Sequence, residues 1–186
     1  MENSFNDLVP HPQFLEVLFA FKSKVSTVFR DIIGIHEIHH MALTRINNNQ
    51  LLTLSSTPAM EFNLFSTPLW LYDQSYNPLW FQLCTQAYWQ NLYAPTRYDE
   101  LYYLKQIKHN FPIGLSLAAQ IDDDFVIYSL ASHKSCAHTR ELFSTQQEDF
   151  YKIGQYCSNM LSPLFSHCDQ LASQALSMQD EYETSK

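Results

Sequence analysis

The chain has 186 residues, of which 46% are hydrophobic and 15% aromatic, so it has the length and the apolar content to fold as one domain and is not wholly disordered. Its 11 basic and 19 acidic residues give a net charge of −8, which argues against a nucleic-acid partner because the charge repels phosphates. With only three glycines, the chain also lacks the glycine-rich loop that commonly binds nucleotide phosphates.

The first segment predicts a helix. From about His11 to Ile33, apolar residues recur at steps of three and four, which places them on one face of a helix. Gly34 follows, and glycine commonly ends helices because it tolerates a left-handed backbone. We expect a long N-terminal helix here, preceded by a short arm over residues 1–10.

A β-hairpin should come next. Residues 35–46 and 51–54 are two largely apolar runs, and three asparagines occupy positions 47–49 between them. Asparagine tolerates the positive φ of a tight turn. This pattern therefore predicts two antiparallel strands joined by a short turn.

The middle of the chain predicts several short helices. Thr57 and Pro58 provide an N-cap and a proline at the first helical position, so a helix should begin there and run to Phe65. Three further prolines divide the aromatic-rich stretch 62–103 into short helices and loops. Residues 98–109 predict one more helix.

The last third predicts a second hairpin and a final helix. Apolar runs 113–121 and 125–131 flank three aspartates at 122–124, which is typical of two strands joined by a turn. A long amphipathic helix should begin near Thr145, where capping residues precede an apolar stripe. Pro163 should kink this helix or divide it in two.

This order of elements predicts an α+β fold, an antiparallel sheet flanked by helices, with a long N-terminal helix and a kinked long C-terminal helix. Residues 11–177 would form the single domain, and residues 178–186 a flexible polar tail.

The composition also predicts a cellular location. The four cysteines lie far apart with no C-x-x-C pair, which is typical of reduced, intracellular thiols; they are Cys84, Cys136, Cys157 and Cys168. No apolar run reaches the roughly 18–20 residues of a membrane span, and the N-terminus does not resemble a signal peptide. We expect a cytoplasmic protein with no membrane span and no cofactor.

The element order resembles the sensory domain of LuxR-type transcriptional regulators, a PAS-like or GAF-like α/β sandwich. Local sequence that looks like this family occurs at Ile33-Gly34-Ile35, Thr44-Arg45-Ile46, residues 54–58 and residues 111–117. The resemblance covers residues 11 to about 170. It implies that the domain binds a signal molecule.

In the acyl-homoserine-lactone receptors of this family, a Trp-x3-Tyr motif, a further aromatic residue and an Asp bind the signal. By position after the first hairpin, Glu61 and Phe65 would take the Trp and Tyr places. By motif, Trp89, Tyr93 and Tyr98 match instead, but later in the chain. Both placements stay open, and because neither preserves the full motif we do not expect an acyl-homoserine lactone as the ligand.

The family's regulators also end in a helix-turn-helix domain, whereas only about twenty acidic and polar residues follow the last predicted helix here. The resemblance therefore implies a non-catalytic sensory domain that acts through a small apolar or aromatic ligand, or through a protein partner or a second copy of itself. One alternative on the same scaffold is a ligand-free adaptor or secreted interaction factor.

The aromatic-rich stretch supplies the candidate ligand-binding residues. Tryptophan and tyrosine can line an apolar pocket with a few polar tips, as in many small-molecule sites, although they can equally fill a core. The candidates are Tyr72, Trp80, Trp89, Tyr93 and Tyr98, with Asp99 as a hydrogen-bond acceptor.

A zinc-dependent hydrolase is the main alternative function. His36, Glu37 and His40 fit the pattern HExxH, which on a helix places two zinc ligands one turn apart beside a general base. On a strand, the two histidines would lie about 13 Å apart, too far to share a metal ion. Because Gly34 and an asparagine turn flank the motif, we expect a strand, and no metal site.

Overall fold

The structure is a computed structural model that describes the backbone of residues 8–184 and the side chains of residues 8–178. The strands of this part are β1 (Val9–Pro10), β2 (His40–Asn47), β3 (Gln50–Ser55), β4 (Gln86–Tyr88), β5 (Ile113–Ile121) and β6 (Asp124–Ser132). Its α-helices are α1 (Phe14–Ala20), α2 (Lys22–Arg30), α3 (Pro58–Phe65), α4 (Pro78–Phe81), α5 (Trp89–Leu92), α6 (Tyr98–Tyr102), α7 (Ala137–Thr145) and α8 (Gln147–Thr184). Short 3₁₀-helices cover Ile35–Glu37, Pro68–Tyr72, Gln74–Tyr76 and Pro95–Arg97, and one turn of π-helix covers Tyr103–Ile107.

One sheet joins the six strands in the order β1-β3-β2-β6-β5-β4. All neighbours are antiparallel except β1, which pairs with β3 in parallel, so that the sheet is mixed at one edge. Both predicted hairpins are present, as β2–β3 and β5–β6. The first turns on Asn48 and Asn49, whose φ values of 47° and 58° are those of a two-residue hairpin turn that asparagine favours. The sheet with its flanking helices confirms the α+β class.

The two faces of the sheet differ in character. Side chains alternate along each strand, and one face carries large apolar side chains that pack towards α8. We call it the apolar face; its buried residues include Met41, Leu43, Leu52, Leu54, Leu115, Leu117, Tyr128 and Leu130. The opposite face, here the polar face, carries mostly small or polar side chains: His40, Ala42, Thr44, Thr53, Ser55, Gly114, Ser116, Ser129 and Ala131.

Helix α8 covers the apolar face. Gly154 lets the helix lie directly against the Tyr128 ring, because a Cβ at this position would be 2.4 Å from a ring carbon. The Ser158 hydroxyl donates to the Tyr128 hydroxyl at 3.3 Å. The helix runs through Pro163 without being divided, so the structure excludes the predicted split at this residue.

The helical predictions need four corrections, the first at Thr57, whose side chain makes no capping hydrogen bond at the start of α3. The single helix expected from His11 to Ile33 is two helices, α1 and α2, with Phe21 between them. Helix α7 was not expected. The hydroxyls of Ser144 and Thr145 do not cap the following helix but donate to the Glu141 carbonyl, at 2.9 and 2.8 Å.

Two predicted segments fall partly outside the described residues. Residues 1–7 of the expected N-terminal arm and residues 185–186 of the expected polar tail are not described, and the backbone of α8 is helical as far as Thr184. No helix within residues 8–184 combines the length and the apolar character needed to cross a bilayer.

A layer of short helices covers the polar face, as the prolines of the aromatic-rich stretch predicted. Each of three successive helical turns begins at a side chain that accepts a backbone N–H two residues on: Thr67 from Leu69, Asp73 from Ser75, and Asn77 from Leu79. Such caps satisfy N–H groups that a helix start leaves free. The layer includes α3 to α6 and the π-helical turn, and it buries Trp70, Phe81, Trp89 and Tyr93.

Candidate functional site

Charged side chains are buried between the polar face and the short-helix layer. Asp73 is 1% exposed, Lys105 3%, Glu61 4% and His40 0%. Charged residues are almost never fully buried unless they are paired. We call these four residues, together with Trp89 and Tyr93, the interior cluster.

An ion pair forms the centre of the interior cluster. The Lys105 Nζ lies 2.6 Å from Asp73 Oδ2. The same Nζ lies 4.4 Å from the centre of the Trp89 ring and 5.5 Å from that of Tyr93. Both distances are within the range of cation–π attraction, so a carboxylate and two aromatic rings surround the ammonium.

The Asp73 carboxylate has partners besides the lysine. Its Oδ1 accepts the Ser75 backbone N–H at 3.0 Å and the Ser75 hydroxyl at 2.7 Å. Because these bonds come from the turn that begins at Asp73 itself, the local backbone orients the carboxylate.

The two aromatic residues are also fixed in place. The Trp89 indole N–H donates to Ser129 Oγ on the polar face at 3.1 Å. The Trp89 ring lies against the backbone of Gly114, where a Cβ would be 2.1 Å from a ring carbon. The Tyr93 hydroxyl donates to Gln106 Oε1 at 3.0 Å, and burial raises the pKa of this hydroxyl.

His40 and Glu61 form a second, less complete pair. His40 Nδ1 lies 2.9 Å from Thr57 Oγ1 and 3.3 Å from Ser56 Oγ. Its Nε2 is buried without a hydrogen-bond partner and faces Glu61 Oε1 across 4.0 Å. Ser55 Oγ donates to that same oxygen, at 3.5 Å.

Burial shifts the pKa of both members of this pair towards the neutral form. Loss of hydration lowers the pKa of His40 to about 3, with the positive charge of Lys105 as a smaller contribution. Loss of hydration also raises the pKa of Glu61 to about 7, which Lys105 partly opposes. The pair is therefore a neutral imidazole beside a carboxyl that titrates near neutral pH.

The six candidate ligand-binding residues do not all lie together. Trp89 and Tyr93 contact Lys105, and Tyr98 contacts Tyr93 with the ring centres 5.5 Å apart. The half-buried Tyr72 contacts the Arg97 guanidinium instead, at 5.1 Å.

The other two candidates lie apart from this group. Trp80 is half-buried in α4, and Asp99 is exposed on α6. Within residues 8–178, no hydrogen bond, ion pair or ring contact joins either of them to Lys105.

Sequence reasoning missed Asp73, Lys105 and His40 as members of an interior site. Glu61 was noticed because it occupies the Trp place of the first placement and because it is a conceivable third ligand for the zinc alternative. Trp89 was noticed because it fits the second placement and belongs to the aromatic-rich stretch. In the structure, Glu61 of the first placement and Trp89 of the second both lie near His40. The His40 ring centre is 6.0 Å from that of Trp89, and its Nε2 faces Glu61. The available signal for Glu61 was an acidic residue inside a helix in which most other residues are apolar.

The three residues of the HExxH pattern contact three different parts of the structure. His36 Nε2 bonds to Asp149 Oδ2 at 3.0 Å, Glu37 pairs with Lys134 at 2.8 Å, and His40 is in the interior cluster. His36 and Glu37 lie in a 3₁₀ turn with φ of 47° and 63°, so the strand expected over all of 35–46 begins only at His40.

Within the described residues, no group of three or more His, Cys, Asp or Glu side chains is placed to bind a metal ion. The geometry therefore offers no support to the zinc alternative.

No family profile matches this chain, and no curated protein matches it. Among solved structures, it is similar to the VqsR LBD domain from Pseudomonas aeruginosa, at 12% identity and a TM-score of 0.48, over 78% of this chain and 93% of that one. It is also similar to Escherichia coli SdiA, at 11% identity and a TM-score of 0.48, over 82% of this chain and 68% of that one. A structure of SdiA in complex with octanoyl-rac-glycerol gives 12% identity, a TM-score of 0.48, and coverage of 80% and 64%. At these values the likenesses assign neither fold nor function by themselves.

Proposed function

We propose that this chain is a non-catalytic sensory domain that binds a small molecule between the polar face of its sheet and the short-helix layer. The observation that carries this proposal is the convergence of Asp73, Lys105, Glu61 and His40, all almost fully buried, at one place against aromatic rings. Apolar walls with a few convergent polar groups are typical of small-molecule sites.

Stability alone does not account for this arrangement. Removing two charges from water costs several kcal/mol per ion, and well-packed apolar residues of similar size often stabilise a fold as well or better. The apolar face of the same sheet shows that this chain can build such packing. Strongly shifted pKa values in one place, as for His40 and Glu61, are common at functional sites.

The side chains of the polar face support the same proposal. Gly114, Ser116, Ser129 and Ala131 lie side by side on β5 and β6 and leave space above the sheet that the short-helix layer fills with long polar and aromatic side chains. The sequence resemblance to LuxR-type sensory domains predicts a ligand in this same layer. We keep the PAS-like description as a prediction.

A catalytic role has little support from the geometry. Thr57, His40 and Glu61 are connected as a nucleophile, a base and an acid would be, but His40 is 0% exposed. Its pKa of about 3 makes it a weak general base at neutral pH. His40 is therefore poorly suited to act as the base of such a triad.

A ligand-free adaptor is the second candidate, and two observations favour it. Lys105 and Asp73 already satisfy each other, so no ligand is needed to neutralise them. Phe19 of α1 and Phe62 of α3 are also exposed and contact each other with ring centres 5.8 Å apart. Together with Leu15, which is 37% exposed, they form an apolar surface suited to a protein partner.

Native mass spectrometry of the full chain, purified under mild conditions, tests the first proposal. We expect a small molecule bound at one per chain, released on unfolding. Tyr93→Phe removes only the hydroxyl that bonds Gln106 and should lower the occupancy. Tyr103→Phe removes a hydroxyl from a side chain that is 59% exposed and should leave the occupancy unchanged.

A protein that is folded and carries no bound molecule, and whose Tm does not change with a panel of acylated and aromatic compounds, would contradict the sensory proposal. That result would favour the adaptor. Saturating ligand at 100 times its Kd should add about 2.7 kcal/mol of stability, so a flat thermal-shift screen is informative.

A further inference from the structure

The environment of the Lys105 ammonium is that of a bound organic cation. One carboxylate oxygen lies 2.6 Å from Nζ, and the Trp89 and Tyr93 rings lie 4.4 and 5.5 Å away. Aromatic faces combined with a negative charge are the means by which proteins recognise amine and quaternary ammonium ligands. Here the cation belongs to the chain itself.

The anionic side of this environment exists without the lysine. The two bonds from Ser75 fix the Asp73 carboxylate, and the Ser129 bond fixes the Trp89 ring. Removal of the Lys105 ammonium would therefore leave a carboxylate and an aromatic ring that already have the geometry to bind another cation.

Lys105 lies on a segment that is irregular and partly exposed. It is in the middle of the π-helical turn Tyr103–Ile107, and single π-helical turns are rare and frequently occur at functional sites. Tyr103 and Ile107 on the same turn are 59% and 55% exposed, so the turn borders solvent. A lysine ammonium is strongly hydrated and sits on a flexible stem, which favours its transfer to water once another cation replaces it.

We propose that the interior site recognises a cationic amine, and that the ammonium of Lys105 occupies this site in the ligand-free protein and is displaced by the ligand. This inference rests on the proposed function, because it names the chemical class of ligand for the same site. It also explains why a charged pair is buried there, since the pair preserves the binding geometry until a ligand arrives.

Lys105→Ala provides the test, with n-propylamine as the probe. This substitution removes the atoms of a propylammonium group, and the added amine is protonated at pH 7 because the pKa of an alkylamine resembles that of lysine. At about ten times its Kd, n-propylamine should raise the Tm of the variant by about 3–6 °C. The neutral isostere 1-propanol should not.

Matched controls separate site binding from general effects of the amine. Lys108→Ala removes an exposed lysine three residues away and should show no amine-dependent change in Tm. Lys105→Ala combined with Asp73→Asn should lose the response, because the carboxylate is gone. The wild-type chain should bind the amine more weakly than Lys105→Ala, because its own ammonium competes at high effective concentration.

A Tm of Lys105→Ala that responds equally to n-propylamine and 1-propanol would overturn the proposal, as would an equal response of the wild-type chain. If the variant does not fold by itself, the yield of folded protein on dilution from urea becomes the readout. A higher yield with n-propylamine than with 1-propanol supports the proposal, and equal yields refute it.

The two proposals can fail separately. If the purified protein contains a neutral bound molecule and Lys105→Ala ignores the amine, the sensory function stands and the amine class is wrong. If the amine stabilises Lys105→Ala but neither a bound molecule nor a ligand response is found in the wild-type chain, the cation site stands and the sensory function fails.

Discussion

The two faces of the sheet are formed by the same strands but are covered in different ways. On the apolar face, α8 packs against Leu and Tyr side chains, and Cys157 and Leu161 of the helix are 0% exposed. On the polar face, the same strands present Gly, Ser, Thr and His to a layer that buries an ammonium and two carboxyl groups. The apolar face follows what stability alone favours, and the polar face departs from it, which is why we propose the ligand site there.

The largest expected effect tests whether the ion pair of the polar face is as buried as the structure indicates. Asp73→Ala should destabilise the fold by about 3–5 kcal/mol, because it leaves Lys105 buried without its counter-charge. Urea unfolding followed by circular dichroism measures this.

Replacing both partners should restore most of that loss. Asp73→Leu together with Lys105→Met should lie within about 1–2 kcal/mol of the wild-type chain, since apolar pairs often substitute for buried ion pairs. A double variant as unstable as Asp73→Ala would mean that the pair itself stabilises the polar face, and the contrast between the faces would then be lost.

The next expected effect concerns the pH dependence of the free energy of unfolding, to which the buried Glu61 beside the polar face should contribute. The pKa of Glu61 is about 7 in the folded chain and ordinarily 4.5, so the folded state binds more protons between these values. Its contribution to stability is complete below pH 4.5 and is lost as the pH rises through about 7. Glu61→Gln mimics the protonated form and does not titrate. The free energy of unfolding of this variant minus that of the wild type should therefore rise by about 3 kcal/mol between pH 4.5 and pH 8.

The contribution of His40 to the pH dependence of stability has the opposite sign, and Glu61→Gln leaves His40 in place. Its pKa falls from 6.5 to about 3 on folding, so its contribution is complete above pH 6.5 and is lost as the pH falls towards 3. Urea midpoints at several pH values should show the difference between the two chains, and Glu141→Gln, at an exposed site on α7, is the control. Parallel curves for Glu61→Gln and the wild type would contradict a buried carboxyl at Glu61.

Two glycines allow the faces to be compared directly. Gly114 lies under the Trp89 ring and Gly154 under the Tyr128 ring, and a Cβ at either would overlap ring atoms. Each change to Ala should cost about 1–3 kcal/mol through overpacking, measured by thermal unfolding. Only Gly114→Ala should also disturb ligand or amine binding, because it displaces Trp89; an equal effect of Gly154→Ala on binding would contradict this assignment.

The smallest expected effect belongs to the ion pair on the other side of the sheet. Asp169 of α8 pairs with Arg45 at 2.5 Å, but its side chain is 49% exposed. Asp169→Ala should cost about 0–1 kcal/mol, as exposed pairs do, and less at high salt. Lys152→Ala, which breaks another exposed pair, is the matched control, and a cost near that of Asp73→Ala would erase the difference between the faces.

Local signals account for the parts of the fold that the sequence predicted. Asn48 and Asn49 adopt the positive φ that their side chains tolerate, and the aspartates after β5 form the second turn. The short helices of the layer follow from its prolines, and the caps at Thr67 and Asn77, which were not predicted, are also local. These features depend on neighbours in the chain, so a single sequence reveals them.

The interior cluster depends on pairing across the chain. Asp73 and Lys105 are 32 positions apart, and no periodicity relates them. His36 and Glu37 adopt a left-handed backbone although neither is a glycine or an asparagine. The 3₁₀ turn that separates the HExxH residues therefore had no local signal. The sequence therefore predicted the short-helix layer but not the interior cluster beneath it.

The borders of the sheet have a consequence for how this chain meets other proteins. β1 has two residues and β4 has three, so each outermost strand offers few free backbone groups. Short outer strands hinder the docking of an added strand and resist edge-to-edge aggregation. Helical surface is therefore more open to docking than the sheet edges, which makes the outer sides of α1 and α3 the first place to look for cross-links to a proposed partner.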